Sequence, residues 1–450
     1  MSSAKEIGLF NGVHSVGFFG LGKSNLAVSE LLPRDAKITL RTEGRINPSM
    51  LPKRLRGARM FAGNAAFDSI DEDILFLSPS VRRDRPELEK ARSDGVILSS
   101  DLELFLSEFR GIGFAVTGSD GKSTTSTMAA LLLSERFEKI SAVGNIGVPF
   151  CRAIGDRAAA LELSSFNLSY SVPHAKRAAV TNVTPNHLNW HKDFEEYQST
   201  KLSLLDSADE AVISADDDIL AEYSRGRAVF AVTSLTRSFD ELKGRFNAEL
   251  YYTADDRYLY RCEEPLMRIS QIKRREAHNL KNLMTAAALA DGYVSRGQLI
   301  HVAENFQGLA HRCEEIPSSD GIKYINSSID TTPHRTVQTL NSLSGDIIII
   351  LGGRTKGCDF ALLREPLSRK ARLAIVTGEC RDELVSAIKG ACDTAVIDGF
   401  EDAVLYGASI AKRGDVLLLS PAATSYDEFS SFEARGEKFK EIIKKLKYKD

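Results

Sequence analysis

No apolar run in this 450-residue chain approaches the roughly 20 residues that cross a bilayer; the densest, residues 347–351, is strand-sized. The opening MSSAKEIGLF has no basic-then-apolar leader pattern, and there is no low-complexity tract or short-period repeat. Cysteine is sparse: Cys151, Cys262, Cys313, Cys358, Cys380 and Cys392 are scattered, with no CxxC pair. That spacing argues against a disulfide framework or a zinc site and suits a reducing cytosol. An excess of one charge is missing too. The 58 Lys and Arg stand against 61 Asp and Glu, a net −3, so no basic field exists to hold nucleic acid. These absences leave a cytoplasmic protein with no membrane and no nucleic-acid partner. At 43% hydrophobic residues, the chain can bury several cores, and about 100–200 residues per domain predicts two to four domains.

What is present is an alternation of short apolar runs with amphipathic stretches, the pattern of α/β domains with largely parallel sheets. Three domains are predicted. Residues 1–110 open with a strand at 14–19, a glycine turn, a helix at 24–32 and further strands at 37–40 and 73–77, which reads as a Rossmann-like nucleotide-binding unit. Residues 111–312 hold a strand at 114–116, a glycine loop, a helix reaching 133, strands at 158–163, 177–182 and 211–214, β-rich runs over 232–260 and a helix at 277–293. This reads as an ATPase-type domain with a parallel or mixed sheet. Residues 313–450 read as a second Rossmann-like unit, with strands at 323–326, 347–351, 373–377, 394–397 and 416–419 and helices at 381–389, 401–411 and 433–446. The basic ending KEIIKKLKYKD reads as a solvated helix end whose cations suit the C-terminal dipole.

The strongest motif is Thr117-Gly118-Ser119-Asp120-Gly121-Lys122-Ser123-Thr124, between an apolar strand and a helix. That context suits a phosphate-binding loop: glycines let backbone N–H groups converge on phosphate oxygens, Lys122 adds charge for the β- and γ-phosphates, and the Ser123 hydroxyl suits Mg²⁺. The glycines of the first domain are a weaker signal. Asn25 stands where a dinucleotide fingerprint has its third glycine, and Arg41 and Thr42 stand where it wants an acid. A phosphate or diphosphate near residues 22–25 fits better than NAD. Glu162 ends an apolar strand, where a nucleotide-metal ligand sits in such folds, although a capping Glu fits equally well. His187 follows a strand and Lys201 lies on a helix; each alone reads as structural or solvated.

Taken in order, TGSDGKST, ELSSF, NVTPNHLNWH and YQSTKL resemble the central domain of the Mur ligases, the ATP-dependent amino-acid ligases of peptidoglycan precursor synthesis. Further on, AHNLKN resembles the family's HNxxN segment, LAHR its interdomain PHR and LGGRTK its GGxxK loop. The tail LSPAATSYDEF with FEARG resembles SPAxxSxDxFxxFExRG, a form typical of the D-glutamate-adding branch; SPS at 78–80 and GNIG at 144–147 agree. The likeness covers nearly the whole chain.

The resemblance implies that ATP phosphorylates the carboxylate of UDP-N-acetylmuramoyl-L-alanine and that D-glutamate displaces the phosphate to form an amide. It places ATP on Gly118, Ser119, Asp120, Gly121, Lys122, Ser123, Thr124, Asn279, Asn282 and Arg312. Catalysis falls to Lys122, Glu162, His187 and Lys201. Two Mg²⁺ ions, with Mn²⁺ an alternative, would be held by Ser123, Glu162, His187 and a carbamylated Lys201, since a carbamate turns an ammonium into an anion fit for metal. The uridine substrate falls to Gly22, Lys23, Ser24, Arg41, Thr42, Asn145, Ser164 and Asn167, the last where the family often has Gln. D-Glutamate falls to Thr331, Lys356, Ser425 and Phe432, with Lys356 pairing a carboxylate. A monomer is expected.

One segment departs. Where the family pattern is NDSKATN, this chain has Asn326-Ser327-Ser328-Ile329-Asp330-Thr331-Thr332, so the usual Asp and Lys become Ser327 and Ile329. The Asp's expected partner is the ATP ribose, and Asp330 is the candidate replacement from a shifted position. Rival readings are a folylpolyglutamate-type ligase, which lacks the uridine domain and the tail, a Mur ligase for another amino acid, a non-catalytic nucleotide-binding module and a Rossmann oxidoreductase.

Overall fold

Three sheets organise the chain in this computed structural model, which describes residues 7–44, 46, 48, 51–79, 81–145, 147–188, 190–355 and 357–447. The first contains β1 (Ser15–Phe19), β2 (Lys37–Thr42), β3 (Arg59–Ala62), β4 (Ile74–Leu77) and β5 (Ile97–Ser99), all parallel, in the order β3-β2-β1-β4-β5. Its side chains alternate between two cores. Val16, Phe18, Leu40 and Phe76 face one side and Phe19, Leu75 and Leu77 the other, as the two-residue period of a strand requires.

The second sheet contains β6 (Ile112–Thr117), β7 (Ile140–Gly144), β8 (Ala158–Glu162), β9 (Ala175–Val180), β10 (Ala208–Ser214), β11 (Ala228–Ser234), β12 (Asn247–Ala254), β13 (Tyr258–Arg261) and β14 (Glu264–Arg268). Its order is β14-β13-β12-β11-β10-β9-β6-β8-β7. All pairs are parallel except the antiparallel hairpins joining β12, β13 and β14. The strand Ala158–Glu162 is wholly buried. Its alanines leave room for the helix Lys122–Leu133, which packs against it and against the alanine-rich helix Ala277–Ala290.

The third sheet contains β15 (Glu314–Ile316), β16 (Lys323–Asn326), β17 (Ile347–Gly352), β18 (Ala371–Thr377), β19 (Asp393–Val396) and β20 (Val416–Leu419), in the order β15-β16-β20-β17-β18-β19, with β15 antiparallel to β16. Every residue of Ile347–Gly352 is buried, because helices cover both faces. Ile347, Ile349 and Leu351 meet Leu340, Leu363 and Leu384, and Ile348 and Ile350 meet Val404, Phe439 and Ile443. The chain divides into two compact units, Met1–Phe306 with the first two sheets and Gln307–Asp450 with the third. Among the described residues no helix is long and apolar enough to cross a membrane. All six cysteines are free thiols.

Candidate active site

In Met1–Phe306 the second sheet draws four chain segments to one edge. Val116 on β6 pairs with Glu162 on β8, Glu162 pairs with Gly144 on β7, and Thr117 pairs with Val180 on β9. The carboxyl ends of β7, β8, β6 and β9 therefore lie side by side, carrying residues 144–145, 162–167, 117–124 and 181–191. Strand order reverses at β6, and open α/β sheets bind ligands at the carboxyl ends of strands near such a reversal.

The glycine loop is shaped by close approaches that forbid a side chain. A Cβ on Gly118 (φ +145°) would lie 1.9 Å from Thr181 Oγ1, and one on Gly121 (φ +80°) 2.4 Å from Asn282 Oδ1. Gly121 caps the helix that carries Lys122, Ser123 and Thr124. Lys122 Nζ donates to the carbonyls of Gly118 and Ser119, each at 2.8 Å. Lys201 Nζ, from the helix Phe194–Asp206, donates to the same Gly118 carbonyl at 2.8 Å. Lys201 is 1% exposed. Burial, then the charge of Lys122, lowers its pKa to about 6, so the amine is mostly neutral at pH 7.

Tyr197, one helical turn before Lys201, ties these parts together. Its ring lies 4.6 Å from Lys201 Nζ and its hydroxyl bonds Ser119 Oγ at 3.0 Å. Ser119 Oγ in turn donates to the Thr184 carbonyl and accepts from the Thr184 N–H, both at 2.9 Å. The Asp120 N–H donates to Asn182 Oδ1 at 3.0 Å. The glycine loop is thereby fastened to the 181–191 loop that carries His187. His187 is exposed, takes a left-handed backbone (φ +55°), and its ring centroid lies 4.9 Å from that of Phe166.

Glu162 is wholly buried. Its Oε1 accepts from Asn145 Nδ2 at 3.2 Å, while Oε2 has no hydrogen-bond partner. An unsatisfied buried carboxylate oxygen beside a phosphate-type loop fits a cation. Among the described residues no three His, Cys, Asp or Glu side chains cluster as a metal site. The edge carries the Glu162 carboxylate and the Ser123 hydroxyl, oxygen donors of the kind that suit Mg²⁺, which commonly takes one or two carboxylates and fills its shell with phosphate oxygens and water. Asn282 is brought to the loop, its Oδ1 accepting from Thr125 Oγ1 at 3.2 Å. Asn279 lies one turn earlier, its amide on Glu276 Oε2 at 3.0 Å. Ser164 and Asn167 engage one another in a capping box at the start of the helix Ser165–Leu168, which gives them a structural role whatever else they touch.

The first sheet also has its carboxyl edge. Gly20 (φ +86°) donates to the Arg41 carbonyl, and a Cβ there would lie 2.3 Å from Ser78 Oγ. The side-chain amide of Asn25 donates to the carbonyls of Phe19, Gly20 and Phe76, so its place in the glycine pattern is a structural one. Gly22, Lys23 and Ser24 begin the helix Lys23–Ser29, and the buried Asp101 carboxylate accepts from the Phe150 and Cys151 N–H groups at 2.8 and 2.9 Å. Thr42 is half-buried, and its Oγ1 accepts from the Gly44 N–H at 3.2 Å. Arg41 differs from expectation. It is fully buried, with Nε and Nη2 on Glu72 Oε1 at 3.0 and 2.8 Å and the remaining N–H groups on the carbonyls of Ala66, Asp68 and Ser69. All five donors are engaged inside the domain, so this placement leaves none for a diphosphate.

In Gln307–Asp450 the loops after β16, β17 and β20 converge on Arg435. This 2%-exposed guanidinium donates to Ser328 Oγ and to the carbonyls of Ser328, Gly352 and Ala423 at 3.0–3.3 Å. Gly352 and Gly353 have no room for a Cβ, which would meet the carbonyls of Thr377 and Thr424 at 1.9 and 2.0 Å. Ser425 is buried next to Thr424, which pairs with Arg354 in an isolated antiparallel bridge, and the Phe432 carbonyl accepts from Ser328 Oγ at 2.8 Å. Thr331 is half-buried, its N–H on the Ile329 carbonyl. Arg312 is half-buried next to His311, whose carbonyl accepts the Ile329 N–H. Lys356 lies outside the described residues, as do Ser80 of the 78–80 segment and Ile146 of the 144–147 segment. Asp330 does not take the ribose role: it is 4% exposed, with Oδ2 accepting from Thr339 and Ser420 at 2.7 and 2.8 Å.

Comparison with known proteins agrees with this geometry. Residues 116–290 match the Mur ligase middle domain and residues 311–423 the Mur ligase, glutamate ligase domain. The chain is 32% identical over 449 residues, 96% of each chain, to a protein of Clostridium botulinum (strain 657 / Type Ba4) named UDP-N-acetylmuramoylalanine--D-glutamate ligase. It belongs to the Mur ligase family. A protein of the same name from Clostridium novyi (strain NT) is 32% identical over 450 residues, again 96% of each chain. The fold of this Mur ligase also resembles that of the UDP-N-acetylmuramate-alanine ligase MurC of Thermotoga maritima, at TM-score 0.61 and 17% identity, covering 97% of this chain and all of the other.

Two residues of this Mur ligase have structural roles that its motifs do not announce. Tyr197 was visible only as part of YQSTKL, and its signal was its place one turn before Lys201. Arg435 was visible only within FEARG, where nothing local announces a buried guanidinium.

Proposed function

We propose that the chain is an ATP-dependent ligase that joins D-glutamate to UDP-N-acetylmuramoyl-L-alanine, with release of ADP and phosphate, in peptidoglycan precursor synthesis. The observation that carries the reading is the set of Lys122, Lys201, Glu162 and the glycine loop on one sheet edge, in a chain alike over 96% of its length to proteins named for that reaction.

The physical task is to bring a triphosphate and a carboxylate together. Mg²⁺, when bound, screens the two anions and polarises the phosphoryl group being transferred. Ser123, Glu162 and His187 are the residues that would hold it. Loop N–H groups and Lys122 Nζ cradle the phosphates, with Lys122 exchanging the Gly118 and Ser119 carbonyls for phosphate oxygens. The neutral amine of Lys201 is the form that adds carbon dioxide. The resulting carbamate would be an anion beside Lys122, stabilised by that charge and able to bind metal. Asn282 steadies the loop and, with Asn279 and Arg312, serves ATP. The first domain, residues 1–110, takes the uridine diphosphate at residues 22–24 and 42, while Asn145 faces the substrate near Glu162. Thr331, Lys356, Ser425 and Phe432 serve D-glutamate, whose amine attacks the acyl phosphate to give the amide.

The test is an amino-acid panel with UDP-N-acetylmuramoyl-L-alanine and Mg-ATP, scored by product mass. A product one glutamyl residue heavier, formed with D-glutamate and not with the other amino acids, is expected. Phosphate release with a different amino acid, or ATP binding with no turnover, would contradict the reading. Carbamylation is tested separately: Lys201→Ala loses activity and regains part of it with added small carboxylates, and full activity in the untreated variant would rule out a carbamate.

A further inference from the structure

Asn182 reaches the glycine loop with bonds that do nothing for its own segment. It follows the strand Ala175–Val180 and is half-buried. An asparagine leaving a strand commonly turns on its own backbone, bonding the N–H two residues on. Here the Thr184 N–H goes instead to Ser119 Oγ at 2.9 Å, and the Asn182 amide goes to Asp120, 62 residues away in sequence. Oδ1 accepts from the Asp120 N–H at 3.0 Å, and Nδ2 donates to the Asp120 carbonyl at 3.2 Å. The Asn182 carbonyl also accepts from the Ser119 N–H at 2.9 Å. Residue 182 thus meets residues 119 and 120 as a neighbouring strand would, donor to acceptor and acceptor to donor. The grip is braced on both sides. Thr181 Oγ1 donates to the same Asp120 carbonyl, and the Val183 N–H donates at 2.8 Å to Asp217, the residue that caps the helix Asp218–Tyr223.

This pairing sorts the N–H groups of the loop. Those of Ser119 and Asp120 are consumed by residue 182. The Thr125 N–H makes the first helical bond, to the Gly121 carbonyl at 2.9 Å, which leaves the Ser123 and Thr124 N–H groups to be satisfied from outside the helix. Phosphate oxygens are suitable partners for them. Gly121, next after Asp120, holds φ +80° and caps the helix, so a swing of the Asp120 peptide would pass directly to the helix start. We infer that Asn182 is a positioning residue for ATP: by holding both backbone groups of Asp120 it fixes the loop ahead of Gly121 and aims the Ser123 and Thr124 N–H groups at the phosphates. It acts through Asp120 rather than on the nucleotide. This rests on the reading of the chain as an ATP-dependent ligase and deepens it. An amide is required for the task, because the two groups of Asp120 need one donor and one acceptor. A carboxylate in its place would set oxygen against the Asp120 carbonyl and add negative charge to the loop.

The test is calorimetric titration of the full chain with Mg-ATP, without the other substrates, for wild type, Asn182→Ala and Asn182→Asp. Each is also measured for its unfolding temperature and its affinity for UDP-N-acetylmuramoyl-L-alanine. Asn182→Ala should weaken Mg-ATP binding by about tenfold, the loss expected for one hydrogen-bonding group, with the other two measurements close to wild type. Asn182→Asp adds a readout that packing alone would not move. Ionised, it has no donor for the Asp120 carbonyl; protonated, it again offers a donor and an acceptor. Its Mg-ATP affinity relative to wild type at the same pH should therefore recover as pH falls toward the carboxyl's pKa. Unchanged Mg-ATP affinity in Asn182→Ala would overturn the inference, as would a ratio for Asn182→Asp that does not vary with pH. Loss of affinity for both ligands in step with a lower unfolding temperature would overturn it too. Because the readout is nucleotide binding, the inference stands or falls whichever amino acid the enzyme joins. Wild-type protein that binds no Mg-ATP would overturn the ATP-dependent reading and this inference together.

Discussion

Two lysine amines share the Gly118 carbonyl, and the buried one gives up its proton near neutrality. Lys201 has a folded pKa of about 6 against an ordinary value of 10.5. Between those values the unfolded chain binds more protons than the folded one, so this group makes stability rise with pH, by up to ~1.4 kcal/mol per pH unit. In buffer freed of carbon dioxide, so that the amine is unmodified, denaturant unfolding of wild type should therefore gain on that of Lys201→Met as pH is raised through this window. Parallel curves would show that the amine keeps its proton. Lys122→Ala should abolish phosphoryl transfer and leave binding of the uridine substrate intact; surviving turnover would remove Lys122 from the mechanism. For Arg41 the prediction runs the other way. Removing it strands the buried Glu72 carboxylate, so Arg41→Ala should cost about 3–5 kcal/mol in unfolding without weakening uridine-substrate binding by the folded protein. Calorimetric titration beside denaturant unfolding separates the two effects. At this scale residue identities were legible and orientations were not. Arg41 ends a strand at a nucleotide-type edge, and only the packed structure shows that Glu72 and three carbonyls take all its donors.

Elements were legible where apolar residues were dense. Ile347–Gly352, Lys323–Asn326 and Val416–Leu419 stand within a residue of the expected strands, because central strands of a sheet covered on both faces must be apolar throughout. Strands with little buried surface were not legible: Arg59–Ala62 has no fully buried residue, and Glu314–Ile316 has one. The helix Pro333–Ser342 escaped because two of its inward positions are the hydroxyls Thr336 and Thr339, which break the apolar 3.6-residue period. The glycine loop was legible as a motif, but its dependence on the helix Ala277–Ala290 was not. Gly121→Ala should destabilise the protein by more than about 1 kcal/mol, since the backbone there is left-handed and the new Cβ would press on Asn282. Adding Asn282→Ala should relieve the steric part and leave the conformational part, so simple addition of the two losses in denaturant unfolding would contradict the contact.

At the scale of the molecule, the α/β architecture and the family followed from motif order, and the comparisons agree with both. The groups assigned to ATP and metal, apart from Arg312, belong to Met1–Phe306; Arg312 and the acceptor residues belong to Gln307–Asp450. In the proposed reaction the cations of the glycine-loop edge let a carboxylate attack ATP, so that an acyl phosphate precedes the amide. The most direct measurement is isotope transfer from UDP-N-acetylmuramoyl-L-alanine carrying ¹⁸O in its terminal carboxylate, turned over with D-glutamate and Mg-ATP. Each phosphate released should carry one oxygen from that carboxylate; phosphate free of label, with amide still formed, would rule out an acyl phosphate.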